Sequence, residues 1–159
     1  MAEANGKAAQ DTEAAPQLAV LAQYIKDLSF ENPRAPQSLE GQQGQPGLSV
    51  NVNVNGKQVG DHLFEVNLMI EGFAGDAAKP LFKFELDYAG IFRVANFPQE
   101  HVHPVVMIEC PRLLFPFARQ IISSTVSNGG FPPLNLDPID FASLYAQRMA
   151  ESAAVQAKT

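Results

Sequence analysis

The chain holds one cysteine, Cys110, and no tryptophan. A single thiol closes no intramolecular disulfide, so nothing in the sequence asks for an oxidising compartment, and the cytoplasm is the expected setting. Long apolar runs are missing too. None approaches the ~20 residues that a membrane helix needs, and the N-terminus carries Glu3 and Glu13 and no unbroken apolar stretch, so neither export nor membrane insertion is expected. Positive charge is scarce: the 11 Lys and Arg against 17 Asp and Glu leave a formal charge of −6. That balance repels phosphate backbones, whose recognition relies on clustered Lys and Arg, so nucleic acid is not an expected partner. No Walker-type loop and no G-x-G-x-x-G motif opens a helix, which argues against ATP or dinucleotide binding by those routes; no cofactor is expected.

Residues that mimic catalytic or metal sites have plainer explanations. Ser123, Ser124 and Ser127 lie in a helical stretch without a nucleophile elbow, so they read as helix-surface serines. His101, His103, Glu109 and Cys110 offer ligand atoms that zinc favours, but their spacing fits no established finger, and solvated imidazoles beside a small buried thiol fit better. Glu85 and Asp87, two apart on one strand face, build a charged solvated face as readily as an acid-base pair. No catalytic residue, no metal site and no enzymatic activity are predicted.

What is plentiful is apolar surface: 46% of 159 residues are hydrophobic, including 11 Phe and 3 Tyr. This is more than a small two-layer core hides, and part of it belongs at an interface. Residues 1–16 have few large apolar groups and are expected to form a flexible tail, as is the stretch 152–159, with one folded domain over 17–151 between them. In 48–55, Leu48, Val50, Val52 and Val54 alternate with Ser49, Asn51, Asn53 and Asn55, the mark of a half-buried strand. Asn55-Gly56 and the residues to Asp61 predict a turn. Phe64, Val66, Leu68 and Ile70 form a second apolar face, and Phe82, Phe84, Leu86 and Tyr88 a third, opposite Lys83, Glu85 and Asp87. Pattern alone leaves open whether the third row is an open wall or the core side of a central strand. The segment 20–31 has both helical and extended character, with a strand expected in its second half, and a Gly/Gln/Pro-rich connection follows over 40–47.

After Phe97 the period changes. Leu113, Leu114, Phe117, Ala118, Ile121, Ile122 and Val126 recur as an amphipathic helix stripe over 112–127, and Asn128-Gly129-Gly130 ends it. Phe131-Pro132-Pro133 starts a rigid extended crossover. Asp137 is the expected N-cap of a last helix, with Pro138 in its first turn and Ile139, Ala142, Tyr145 and Met149 on one face. Strands first and helices afterwards argue an α+β fold with the helices gathered on one side of an antiparallel sheet.

Two segments in order, Cys110-Pro111-Arg112-Leu113-Leu114-Phe115-Pro116-Phe117-Ala118-Arg119 and Gly130-Phe131-Pro132-Pro133-Leu134-Asn135-Leu136-Asp137-Pro138-Ile139-Asp140-Phe141, closely resemble signature segments of the SecB protein-export chaperone family. The resemblance extends through 85–92 and 24–33 and spans roughly residues 20–150. It implies a four-stranded antiparallel sheet with helices packed on one face, assembled as a homotetramer, a dimer of dimers, whose long helix contributes Leu113, Leu114, Phe117, Ile121 and Ile122 to the tetramer interface. It implies an ATP-independent holdase that keeps secretory precursors unfolded, with a client groove at Phe82, Phe84, Leu86, Tyr88, Phe131, Pro132, Leu134 and Leu136. It also implies docking to the SecA motor through Asp27, Glu31, Lys83 and Glu85. Lys83 stands where family members carry a leucine. Alternation sets Asp27 and Glu31 on one strand face and Tyr24, Leu28 and Phe30 on the other. A SecB-like adaptor dedicated to a particular client, such as a toxin-antitoxin system, is the second reading.

Overall fold

The computed structural model describes residues 14–41 and 46–158. The expected N-terminal tail is therefore outside the described residues up to position 13, and so are residues 42–45 of the Gly/Gln/Pro-rich connection. Four antiparallel strands, β1 (Gln17–Glu31), β2 (Leu48–Gly60), β3 (Leu63–Gly75) and β4 (Pro80–Ala95), form one sheet in the order β1-β4-β3-β2. Helices α1 (Gln99–Pro104) and α2 (Cys110–Asn128), joined by the π-helical turn Val105–Glu109, lie on one side of it, and α3 (Phe141–Ala157) follows an extended crossover. This is the α+β arrangement that the sequence pattern and the resemblance both predict.

The core is the meeting of the period-2 faces with the helix stripe. Val66, Leu68 and Ile70 of β3 and Phe84, Leu86 and Phe92 of β4 are buried against Leu114, Ala118, Ile122 and Val126 of α2. Each large side chain removed from water there contributes about 1.5–3 kcal/mol. Cys110 is also in this core, where burial, and secondarily the charge of Glu109, pushes its thiol up to about 12. It remains a protonated packing group.

Several local expectations are corrected. β1 is extended over its whole length from Gln17, because pairing with the central strand β4 overrides the helical leaning of its alanines. The hairpin does not turn at Asn55-Gly56: those residues pair with Asn67 and Val66, and the chain reverses at Asp61-His62, with His62 at φ 57°. Gly56 has another reason to be glycine. A Cβ there would lie 2.7 Å from Cγ1 of Val106, so its bare backbone admits the π-helical turn onto the sheet. The last helix begins at Phe141, capped by Asp140, whose Oδ1 accepts from the Ser143 amide at 3.0 Å; Asp137, Pro138 and Ile139 remain in the extended crossover. Both aspartates suit an N-cap by composition, and burial of Phe141 against Phe115, in an edge-on ring contact, fixes which one serves. The stretch 152–159, expected to be a tail, is helical to Ala157, in keeping with its alanines; Thr159 lies outside the described residues.

Helix α3 is mostly exposed, and two polar links hold it. Nδ1 of His103 in α1 is 2.8 Å from the hydroxyl of Tyr145, and Arg148 donates to Oδ1 of Asn53 and, at 3.1 Å, to the carbonyl of Val52. The second link occupies part of the unpaired edge of β2.

Candidate functional site

The sheet presents two unlike surfaces. At one end of its helix-covered side an apolar trough of about 570 Å³ opens between the end of the β1–β2 connection, the start of β4 and the crossover after α2. Leu39, Leu48, Leu81, Phe82, Phe131 and Leu134 line it. The crossover has to be extended here, since Pro132 and Pro133 forbid helix and Gly129-Gly130 releases the chain from α2. The Phe82 and Phe131 ring centroids sit 4.9 Å apart, and Phe30 stacks on Phe82 at 6.0 Å, so the rings at this end form one packed aromatic cluster with Phe131 facing the trough. The Asn32 amide donates to the Gly129 carbonyl at 3.0 Å and accepts from Ser38 at 2.7 Å, fastening the chain beyond β1 to the end of α2.

Of the eight residues mapped to a client groove, the trough brings together Phe131, Pro132 and Leu134 with Phe82, which is itself buried at 7% exposed and borders the trough from the core side. Phe84 and Leu86 are corrected to core residues: α2 covers their stretch of β4, leaving them 1% and 3% exposed. Tyr88 is likewise covered; Phe117 stacks on its ring and its hydroxyl donates to Gln23 at 3.0 Å. Leu136 is buried and anchors the crossover. Leu39 and Leu81 carry no assignment from sequence, and Phe30 and Leu48 are assigned there to strand faces and not to the groove. Phe30 alternates in phase with Leu28, a signal that was available; Leu39 sits in an irregular turn, where no period exists to read.

Among the described residues, no helix covers the other face of the sheet. Register puts Asp27 beside Asp87, Ser29 beside Glu85 and Glu31 beside Lys83, with Glu71 next to Glu85 on the far side. All three predicted carboxylates, Asp27, Glu31 and Glu85, therefore share this face with Lys83, whose ammonium lies 3.6 Å from Glu85. Asp87 and Glu71 enlarge the acidic set and are held by amides: Asn67 donates to Asp87 at 3.0 Å and Asn51 to Glu71 at 3.2 Å. A shallow depression of about 300 Å³ lies among Asp27, Glu71, Glu85 and Asp87, with Met69 on its floor.

Tyr24 is also on this open face, not opposite Asp27. A register shift between Ile25 and Asp27 inserts one residue and resets the alternation, so that Tyr24 pairs with Ala89. Its hydroxyl donates to Glu65 at 2.5 Å, and Lys26 donates to the other oxygen of the same carboxylate at 2.8 Å, crossing over β4 where Ala89 leaves room. The bonds from Lys26 and Tyr24 hold the Glu65 carboxyl below its ordinary value; burial, with the Glu65 contact, pushes the Tyr24 phenol up to about 12.

A third feature is apolar and open. Leu113 and Phe117 of α2 are 42% and 50% exposed, and Val20, Leu21, Ile25 and Leu28 of β1 are similarly uncovered. Leu114 and Ile122 are corrected from interface to core residues, since they point at the sheet and are fully buried, while Ile121 is half-buried at the margin.

An apolar trough, a separate acidic sheet face and an uncovered apolar helix flank define a protein that works by binding other polypeptides. Comparison with known proteins makes the class specific. The family model for SecB, preprotein translocase subunit SecB, matches residues 11–152. The chain is 60% identical over 154 residues to the protein-export protein SecB of Methylocella silvestris, covering 97% of this chain and 95% of that one. It is 59% identical over 145 residues to the SecB of Rhodopseudomonas palustris, with 91% and 92% covered. Among solved structures, the Mycobacterium tuberculosis Rv1957 SecB-like chaperone, in complex with a ChAD peptide from the Rv1956 HigA1 antitoxin, shares the fold at a TM-score of 0.58 and 14% identity, covering 77% of this chain and 90% of that one. The chain belongs to the SecB family of protein-export chaperones. Among the described residues no helix is long and apolar enough to cross a membrane.

Proposed function

We propose that the chain is an ATP-independent cytoplasmic holdase that grips unfolded secretory precursors in the apolar trough and hands them to the SecA motor across the acidic sheet face. The observation that carries this reading is the separation of the two surfaces: the trough bordered by Phe131 and the buried Phe82 opens on the helix-covered side, while Asp27, Glu31 and Glu85 occupy the bare side. A client and a motor can then be held at once. Area burial is non-directional, so the trough accepts many apolar side chains without a sequence code. Burying four large ones contributes roughly 6–12 kcal/mol gross, much of it offset by ordering the client. A folded protein hides those side chains, which makes slow folding the selection rule.

The uncovered flank of Leu113 and Phe117, continued by Val20, Leu21, Ile25 and Leu28, supports assembly with further copies into the tetramer that the family resemblance implies. The export reading is preferred over a dedicated toxin-antitoxin adaptor because the close relatives over nearly the whole chain are export proteins.

The decisive experiment dilutes a slow-folding precursor from denaturant with and without the chain, in the absence of ATP, and follows light scattering. Suppressed aggregation is expected; unchanged scattering ends the holdase reading. Glu85→Lys is expected to abolish motor binding and to spare that suppression, and equal loss of both would overturn the separation of surfaces. Added salt should weaken motor docking more than client capture.

A further inference from the structure

Apart from Tyr24, whose hydroxyl is bonded to Glu65, the bare side of the sheet carries an aromatic ring that the core does not use. Phe73 of β3 pairs with Lys83 on β4 and Ser49 on β2, so it projects from the same face as Glu31, Glu71 and Glu85. It is part-exposed, lies outside the hydrophobic core and makes no ring contact among the described residues. Folding gains little from an aromatic so placed. With Ser49, Asn51, Glu71 and the stem of Lys83 it borders a depression of about 270 Å³, which shares Asn51 and Glu71 with the carboxylate-lined depression around Met69. Met69 and Phe73 are four residues apart on one strand, about 13 Å at ~3.3 Å per residue.

We propose that Phe73 is the apolar anchor of the acidic docking face, and that the element docked there is a basic segment carrying one bulky apolar side chain about four extended residues from its cationic cluster. The inference rests on the docking reading above and adds its chemistry. The cross-strand neighbour of Phe73 on β4 is the charged Lys83. With a lysine on β4, the apolar surface of this corner comes instead from the adjacent strand, β3. Carboxylates give such a face its sign and its encounter rate, whereas a desolvated aromatic supplies much of its affinity and its selectivity.

The test uses two nine-residue peptides of equal charge, each with three lysines, differing only in a leucine or a serine four positions after the last lysine. Their binding to the full chain is titrated at low ionic strength. The leucine peptide is expected to bind about 5–10-fold tighter, with the difference lost in Phe73→Ser, restored in Phe73→Leu and unchanged in Phe131→Ser. Glu85→Lys should weaken both peptides alike. Equal affinity of the two peptides for the wild type overturns the proposal, as does a difference that survives Phe73→Ser or disappears in Phe131→Ser, which would place the leucine in the trough. If neither peptide binds the wild type, the acidic docking reading fails and this inference falls with it.

Discussion

Strand β4 carries both faces of the molecule in one alternating run, and their contrast explains how it is built. Phe82, Phe84, Leu86 and Tyr88 point to the helices, and Lys83, Glu85 and Asp87 to the open side. The whole first row is buried, Phe82 at 7% exposed no less than Tyr88, yet its members meet different partners: Phe84 and Leu86 are sealed by α2, Tyr88 is covered by Phe117, and Phe82 packs against Phe131 at the margin of the trough. The open row stays exposed or part-exposed because no helix or strand among the described residues crosses it. An apolar surface becomes a binding site only where the fold stops short of covering it, whereas a charged surface is available by default.

The comparison can be broken most sharply within the apolar row. Phe84→Ala should destabilise the protein by about 3–5 kcal/mol, through the cavity it leaves among close-packed neighbours, visible as a large fall in Tm. If Phe84→Ala instead leaves Tm intact and removes client binding, the row is an open wall after all. Next in size, Gly72→Ala sets a Cβ 2.8 Å from the Ser49 carbonyl oxygen and 2.7 Å from Cζ of Phe84; overpacking of about 1–3 kcal/mol is expected in a urea titration. Phe131→Ser, at the trough, should change Tm far less than Phe84→Ala and weaken capture of an unfolded precursor about tenfold, in keeping with removal of one large apolar side chain.

On the open face the effects are smaller. Tyr24→Phe removes the bond to Glu65 and should cost about 0.5–1.5 kcal/mol, read from the denaturation midpoint. The pH dependence of that link has a definite sign at both ends. The folded state holds Glu65 below its ordinary value, so the stability it contributes is complete above the unfolded carboxyl value of 4.5 and is lost as the pH falls through the lower folded one. Tyr24 behaves oppositely: its phenol keeps its proton to about 12 in the fold but releases it near 10 when unfolded, so stability declines as pH rises between those values. Glu65→Gln should flatten the acid limb and leave the response of Phe84→Ala unchanged, since the two sites lie on opposite sides of the sheet.

Much of this was legible in the sequence because the signals were periodic. Four strands, the amphipathic stripe of α2, the extended Pro-rich crossover and the charged row of β4 follow from local spacing and turn chemistry, and the signature segments pointed to the family. Tyr24 was assigned to the wrong side because a one-residue bulge has no mark in the alternation it resets. Asn55-Gly56 was read as a turn because glycine serves two purposes, reversal and close approach, and only the packed Val106 shows which applies.

By itself, then, the sequence determined which side chains share a face wherever a strand runs without a bulge, the negative sign of the whole, and the order of strands and helices, since each depends on backbone periodicity or on simple counting. The tertiary structure alone decided which apolar residues are walls and which are core, that the ring of Phe73 projects among carboxylates, and that Lys26 and Tyr24 converge on Glu65. Those outcomes depend on where α2 ends and how neighbouring strands are registered, and contacts between residues tens of positions apart leave no periodic trace along the chain.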